Sequence, residues 1–100
     1  VSVLDEIAAE RARQEAKWGE QNHPDITADL DYPILSGDYC KQVTESRSAV
    51  GKCTYTDILL EEVAEAVDEA RLGDKEKLRV ELIQVAAVAT KWVEKLDRGY

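Results

Sequence analysis

Of the six carboxylates in one stretch of the chain, Thr54 to Leu72, TYTDILLEEVAEAVDEARL, five crowd together. Read as a helix at about 100° per residue, it places Glu61, Glu62, Glu65, Asp68 and Glu69 within roughly a third of its circumference. Residues three and four apart touch on a helix surface, so Glu62/Glu65, Glu61/Glu65, Glu65/Asp68 and Glu65/Glu69 are like-charge pairs. Each such pair costs a few tenths of a kcal/mol. No Lys stands four positions before or after Glu61, Glu62 or Glu65 to offset them. Such a face is either a solvated surface or a cluster that needs a counter-ion. Hard divalent cations prefer carboxylate oxygens as ligands.

A second polar pair lies further on. From Lys75 to about Asp97, Leu78, Leu82, Val85, Ala86, Ala89, Val93 and Leu96 follow a helical repeat, and Val80, Ile83, Ala87 and Val88 add apolar surface elsewhere. A helix apolar on nearly all sides is expected to be buried, and in a chain of this length that implies a subunit interface. Its polar line is Lys77, Glu81, Gln84 and Lys91. Gly73-Asp74 is a short turn, so the two helices are expected to be antiparallel neighbours. Glu62 and Glu65 can then face Glu81 and Gln84. Acids among apolar residues are costly unless paired or metal-bound. Lys or Arg partners are possible, but the local excess is acidic. Four oxygen ligands from two helices suit Mg²⁺, which keeps several waters and binds substrate phosphates as well.

The remaining elements must carry this pair. Ser2 with Asp5 reads as a capping box opening a helix from Val3 to about Lys17, closed by Gly19 after Trp18. Leu4, Ile7, Ala8, Ala12 and Ala16 give it only a thin apolar stripe. Glu20 to Pro33 reads as a loop. Ser36 to about Arg47 reads as a short helix with Tyr39, Cys40 and Val43 facing inward and Lys41 outward. Ser46 to Lys52 reads as a second loop. Thr54 with Asp57 is a capping box for the acidic helix, Gly73 ends it, and Asp74 caps the last helix. No β-type alternation appears, so the class is all-α.

Other chemistries fare worse. His23, Cys40 and Cys53 lack the ligand spacing of a zinc site. Asp29 and Asp31 resemble the start of a calcium loop, but Pro33 stands at a ligand position, Ile34 at the glycine position and Cys40 where the bidentate Glu belongs. Gly51-Lys52 lacks Walker spacing, and Arg47 and Lys52 read as surface charges. With 100 residues the chain is expected to be one domain, 1–100, with a modest core of its own. Net charge is -8, from 21 acids against 13 Lys and Arg, which argues against direct nucleic-acid binding through phosphate neutralisation. Two Cys are no disulfide framework. No apolar run approaches a membrane span and no stretch has a signal-peptide pattern, so the expected compartment is the cytoplasm. The chain opens on Val1 and stops at Tyr100 just past a helix pattern, as a trimmed piece would.

Glu61-Glu62-x-x-Glu65, a gap of 15 residues, then Glu81-x-x-Gln84 resembles the EExxE…ExxD pattern of the all-α nucleoside triphosphate pyrophosphohydrolase superfamily. That superfamily includes MazG, dimeric dUTPases and phosphoribosyl-ATP pyrophosphohydrolase. Three stretches, ERARQEAKWGEQNHPD, DILLEEVAEAVDEA and LRVELIQVAAVATKWVEKLD, are similar to the small MazG-like proteins of phages and actinobacteria. The resemblance implies a MazG-like bundle of about four helices, completed by assembly into a dimer or a dimer of dimers. It also implies hydrolysis of a nucleotide between its α- and β-phosphates, giving a monophosphate and pyrophosphate. Carried over, Glu62, Glu65 and Glu81 would be Mg²⁺ ligands, with Mn²⁺ as a substitute, and Gln84 would stand at the Asp position. Glu61 would orient or deprotonate the attacking water. Gln84 departs from the pattern: its amide oxygen still coordinates, but the site has one negative charge fewer. Lys91, two turns beyond Gln84, could meet a phosphate or be a surface Lys. Trp18 and Trp92 could stack on a base or pack in a core or interface. The N-terminal Arg13, Gln14 and Lys17 have no fixed role. The alternative reading is a catalytically silent acidic helical module of the same fold that binds a partner protein.

Overall fold

A computed structural model of the chain describes residues 2–27, 32 and 36–99. It is all-helical, with no strand among these residues: α1 (Val3–Trp18), α2 (Gly37–Ala49), α3 (Tyr55–Leu72) and α4 (Lys75–Asp97). The calcium-loop comparison at Asp29, Asp31, Pro33 and Ile34 falls outside the described residues.

The helix starts follow from side chains that capture orphan amides. Ser2 accepts from the Asp5 amide while Asp5 accepts from the Ser2 amide, and Thr54 and Asp57 do the same for α3. Ser36 caps α2 through the Tyr39 amide, and Asp74 caps α4 through the Lys77 amide. Each such cap contributes about 1 kcal/mol. At the end of α3, Gly73 adopts the left-handed conformation (φ 76°, ψ 15°). There its amide donates to the Ala70 carbonyl, and that of Asp74 donates to the Glu69 carbonyl. This double closure turns the chain within two residues and lays α4 antiparallel to α3.

α3 is the centre of the fold. It packs most extensively on α4 and next on α2, while α1 touches α4 alone and sparsely. The α3–α4 pairing runs the length of the hairpin, ending where Tyr55 stacks on Trp92 with ring centroids 5.7 Å apart. The α2–α3 junction is polar as well as apolar. Thr44 Oγ1 donates to the Cys40 carbonyl and, at 3.4 Å, to that of Asp57. Asp57 is buried and paired with Arg47. Burial works to raise its carboxyl, but the Thr54 amide and hydroxyl and the Arg47 guanidinium outweigh that and hold it below the ordinary carboxylate range.

Three expectations change here. The stretch Ser46–Lys52 is not all loop, because α2 continues to Ala49 and closes when the Lys52 amide donates to the Arg47 carbonyl. Arg47 is more than a surface charge, since it is the ion partner of buried Asp57. Tyr39 is 53% exposed rather than inward, because α2 meets α3 through Gly37, Cys40 and Thr44 instead. Within the single chain α4, expected to be buried at a subunit interface, has no buried residue, and Val80, Leu82, Ile83, Val93 and Leu96 are exposed. No helix among the described residues is long and apolar enough to cross a membrane.

Candidate metal centre

The acidic residues meet where α2, α3 and α4 come together. Glu61, Glu62 and Glu65 each present a carboxylate oxygen within 4.8 Å of the other two. Two ligands on opposite sides of one Mg²⁺ stand about 4.2 Å apart, twice its bond length to oxygen, so this spread suits a single hard cation after small rotamer shifts. Glu81 comes across from α4, close enough to Glu62 and Glu65 to share a proton with either. Glu65, Asp68, Glu69 and Glu81 line a cavity of about 310 Å³ whose far wall is Gly37, Asp38 and Lys41 of α2.

The electrostatics are those of an unneutralised cluster. Burial, then the Glu62 charge, then proton sharing with Glu81 push the Glu65 carboxyl up to about 7. Glu62 is raised too, first by burial and then by the charges of Glu81 and Glu61. Gln84 completes the inner ring. With its nitrogen turned inward, its amide donates to Glu62 Oε2 at 2.7 Å and to Glu81 Oε2 at 3.1 Å. Turned the other way, its oxygen points at the same two carboxylate oxygens, which only a cation among them would make favourable. Glu69 Oε2 is buried with no hydrogen-bond partner among the described residues. All the converging donors are oxygens, the set that suits Mg²⁺ or Mn²⁺ rather than zinc.

Local structure explains why the cluster can be so tight. The amide of Gly37 donates to Asp68 Oδ2 at 2.7 Å, so the N-terminus of α2 is docked onto the acidic face of α3. The positive end of the α2 dipole then faces the carboxylates and offsets part of their repulsion. This approach requires glycine. A Cβ on Gly37 would lie 2.8 Å from Asp68 Oδ2, 2.9 Å from Glu65 Cγ and 3.3 Å from the Glu65 Cα.

Of the residues singled out by sequence, Glu61, Glu62, Glu65, Glu81 and Gln84 are brought together. Trp18 and Lys91 are not in the cavity lining. Trp18 ends α1, 56% exposed, with Lys17 Nζ 4.6 Å from its ring centroid, and Lys91 is exposed. Trp92 is occupied by its stack on Tyr55. His23 is exposed, Cys40 buried and Cys53 partly buried, both cysteines free, and none joins a metal-type group. Lys41 and Gly37 were missed. Lys41 reads as an outward residue of a short helix, yet it is the one cation in the cavity lining. Only the rotation of α2 against α3 reveals it. Comparison of the chain with protein-family models, with curated proteins and with solved structures gives no match.

Proposed function

We propose that the protein is a Mg²⁺-dependent nucleoside triphosphate pyrophosphohydrolase of the MazG-like kind, working as a homo-oligomer in the cytoplasm. The observation that carries this reading is the meeting of Glu61, Glu62 and Glu65 of α3 with Glu81 and Gln84 of α4 in one uncompensated cluster. The donor set fits the ion. It is all oxygen, and burial first, then the neighbouring carboxylate charges, hold Glu62 and Glu65 above their usual range.

In this reading Glu62, Glu65 and Glu81 hold Mg²⁺, with Gln84 turning its amide oxygen inward. The ion, when bound, supplies positive charge to the phosphates and makes water more acidic. Glu61, beside the ligands, takes the proton of the attacking water. The water oxygen forms the new bond to phosphorus. The bridging oxygen of the α–β anhydride leaves with the other phosphoryl group, giving monophosphate and pyrophosphate. Lys41, on the α2 wall, is placed to meet phosphate charge, a role that Lys91 shares if the nucleotide extends along α4. Trp18 would reach a base only in an assembly that brings α1 of another protomer to the cavity.

The test is pyrophosphate release from a panel of ribo- and deoxyribonucleoside triphosphates with Mg²⁺ or Mn²⁺, alongside Glu65→Ala. Release that disappears in the variant is the expected result. Silence across the panel, in the wild type and also in Gln84→Asp, would defeat the proposal. A second reading, a catalytically silent acidic module that binds a partner protein, draws on Gln84 and on a cavity lining that, among the described residues, holds no aromatic side chain to stack on a base. The Gln84 amide nitrogen can satisfy Glu62 and Glu81 with no ion at all. That reading requires a melting temperature unmoved by either cation.

A further inference from the structure

α2 forms one wall of the acidic cavity, and little apolar packing holds it there. It buries only Gly37 and Cys40, while Tyr39 is more than half exposed. At about 100° per residue, Gly37, Cys40, Thr44 and Arg47 share one stripe of the helix, and that stripe meets α3. Asp38 and Lys41 fall to one side of it and line the acidic cavity. Tyr39 and Val43 fall to the other side and border a separate recess of about 230 Å³ on the opposite face of the α2–α3–α4 layer. The roll of α2 about its own axis therefore decides which of its residues the cavity receives.

The contacts along the stripe restrain that roll unequally. The Gly37 amide donates to Asp68 Oδ2 at 2.7 Å, but a backbone amide lies close to the helix axis. It fixes the position of the helix end and hardly its roll. Thr44 Oγ1 donates to the Cys40 carbonyl of its own helix at 3.0 Å and reaches the Asp57 carbonyl only at 3.4 Å, which is weak. Arg47 is the strong restraint. Its guanidinium, far out on a long side chain, donates to Asp57 Oδ1. Asp57 is a fixed anchor, because it is 5% exposed and its other oxygen accepts from the Thr54 amide at the start of α3. Breaking the pair leaves a buried carboxylate without its counter-charge, which is costly.

We propose that Arg47 is a positioning residue for Lys41: pinned to Asp57, it fixes the roll of α2 that keeps Lys41 over the acidic cavity to meet the phosphates of the substrate. This rests on the functional reading above. Side-chain atoms at a helix surface lie roughly 5–6 Å from the axis, so a roll of about 20° moves them by about 2 Å. That is enough to lose a hydrogen bond to a phosphate oxygen. Arg47 is not in the cavity lining and stands about 9 Å further along α2 than Lys41, so its effect travels through the helix.

The test is a double-mutant cycle on the full chain, read by calorimetric binding of inorganic pyrophosphate in the presence of Mg²⁺, with Lys41→Ala, Arg47→Gln and the two together. Lys41→Ala should weaken binding about tenfold in the wild type, the worth of one charge-assisted hydrogen bond. In the Arg47→Gln background the same change should cost less than about threefold, because Lys41 has already left its place. Equal factors in the two backgrounds would overturn the proposal, since a merely structural Arg47 lowers the melting temperature without changing what Lys41 contributes. If Arg47→Gln does not fold, Asp57→Asn serves the same cycle: it keeps an oxygen for the Thr54 amide and removes the charge that holds Arg47, and equal factors there overturn the proposal as well. A wild type that binds no pyrophosphate with Mg²⁺ or Mn²⁺ would overturn the functional reading and this inference with it, whereas binding with equal factors overturns this inference alone.

Discussion

Replacing Glu65 by Gln should make the metal-free protein more stable, and the gain should depend on pH. In the folded chain the Glu65 carboxyl is pushed up from 4.5 to about 7. Between those values the folded chain holds a proton that the unfolded chain has released. Stability therefore falls as pH rises through that window and flattens above it. Glu62, raised by the same neighbours, acts in the same direction. Asp57 is shifted the other way, so its contribution is lost only as pH falls below 3.8, outside the window. At about 1.4 kcal/mol per pH unit, an ionised Glu65 at pH 8 opposes folding by at most about 3 kcal/mol. Proton sharing within the cluster and its partial exposure to water reduce this to about 1–2 kcal/mol.

Glu65→Gln keeps the shape and removes the charge, so at pH 8 and fixed protein concentration its melting temperature should exceed wild type by about 5–10 °C. At pH 5 the advantage should shrink to about a quarter, because there the folded wild type is already protonated at this position. Circular-dichroism melts in chelator at the two pH values measure both numbers. Saturating Mg²⁺ should then cancel or reverse the order, since an ion at a hundred times its Kd adds about 2.7 kcal/mol to the wild type alone. A variant less stable than wild type at pH 8 in chelator would refute the reasoning, because it would mean that the Glu65 carboxylate makes a stabilising ion pair. A gain of equal size at pH 5 and pH 8 would refute the electrostatic account while leaving some packing benefit.

The remaining predictions concern the supports of the site. Gly37→Ala should destabilise the fold by about 1–3 kcal/mol in denaturant titrations, because the new Cβ meets Asp68 Oδ2 and the Glu65 side chain and backbone at 2.8 to 3.3 Å and must push α2 off α3. It should also weaken the Mg²⁺-dependent rise in melting temperature. Gln84→Asp adds a charge to a cluster already pushed upward, so it should lower the metal-free melting temperature and increase affinity for Mg²⁺ by calorimetry. Thr54→Ala removes the hydroxyl that accepts from the Asp57 amide, and should cost about 1 kcal/mol in chemical unfolding without changing the metal response. Lys41→Ala should raise KM more than it lowers kcat for any triphosphate that is turned over, because the Lys41 side chain borders the cavity and not the Glu61 carboxylate.

Much of this was legible along the chain because it is local. Ser2 with Asp5, Thr54 with Asp57, and Gly73 before Asp74 mark helix ends through interactions spanning three to five residues, and these ends fall where the sequence puts them. The facing of Glu62 and Glu65 with Glu81 and Gln84 was legible too, since a two-residue turn leaves an antiparallel hairpin little freedom. What escaped is set by helix rotation and by distant partners. Ser46 to Ala49 has weak helix propensity, and it stays helical where Arg47 reaches across to buried Asp57. Lys41 sits in the cavity wall because Gly37 lets α2 approach at one particular rotation, and a 13-residue helix with few apolar residues does not announce that rotation.

The two faces of the α2–α3–α4 layer also constrain each other. α3 presents five acids on one side while the small residues Ala64 and Ala66 are buried against its neighbours. Repulsion among those acids opposes the packing, and the thin core of a single chain has little to set against it. In the proposed homo-oligomer, burial on the opposite face would supply the missing stabilisation, and a cation on the acidic face would remove part of the opposition. The two effects should therefore be linked through stability without direct contact between the sites. Mg²⁺ should raise the concentration-dependent melting temperature of the wild type and leave it unmoved in Glu65→Gln. Dilution should lower the melting temperature in both. Dilution without effect on either protein would break the link at the interface, and Mg²⁺ without effect on the wild type would break it at the carboxylates.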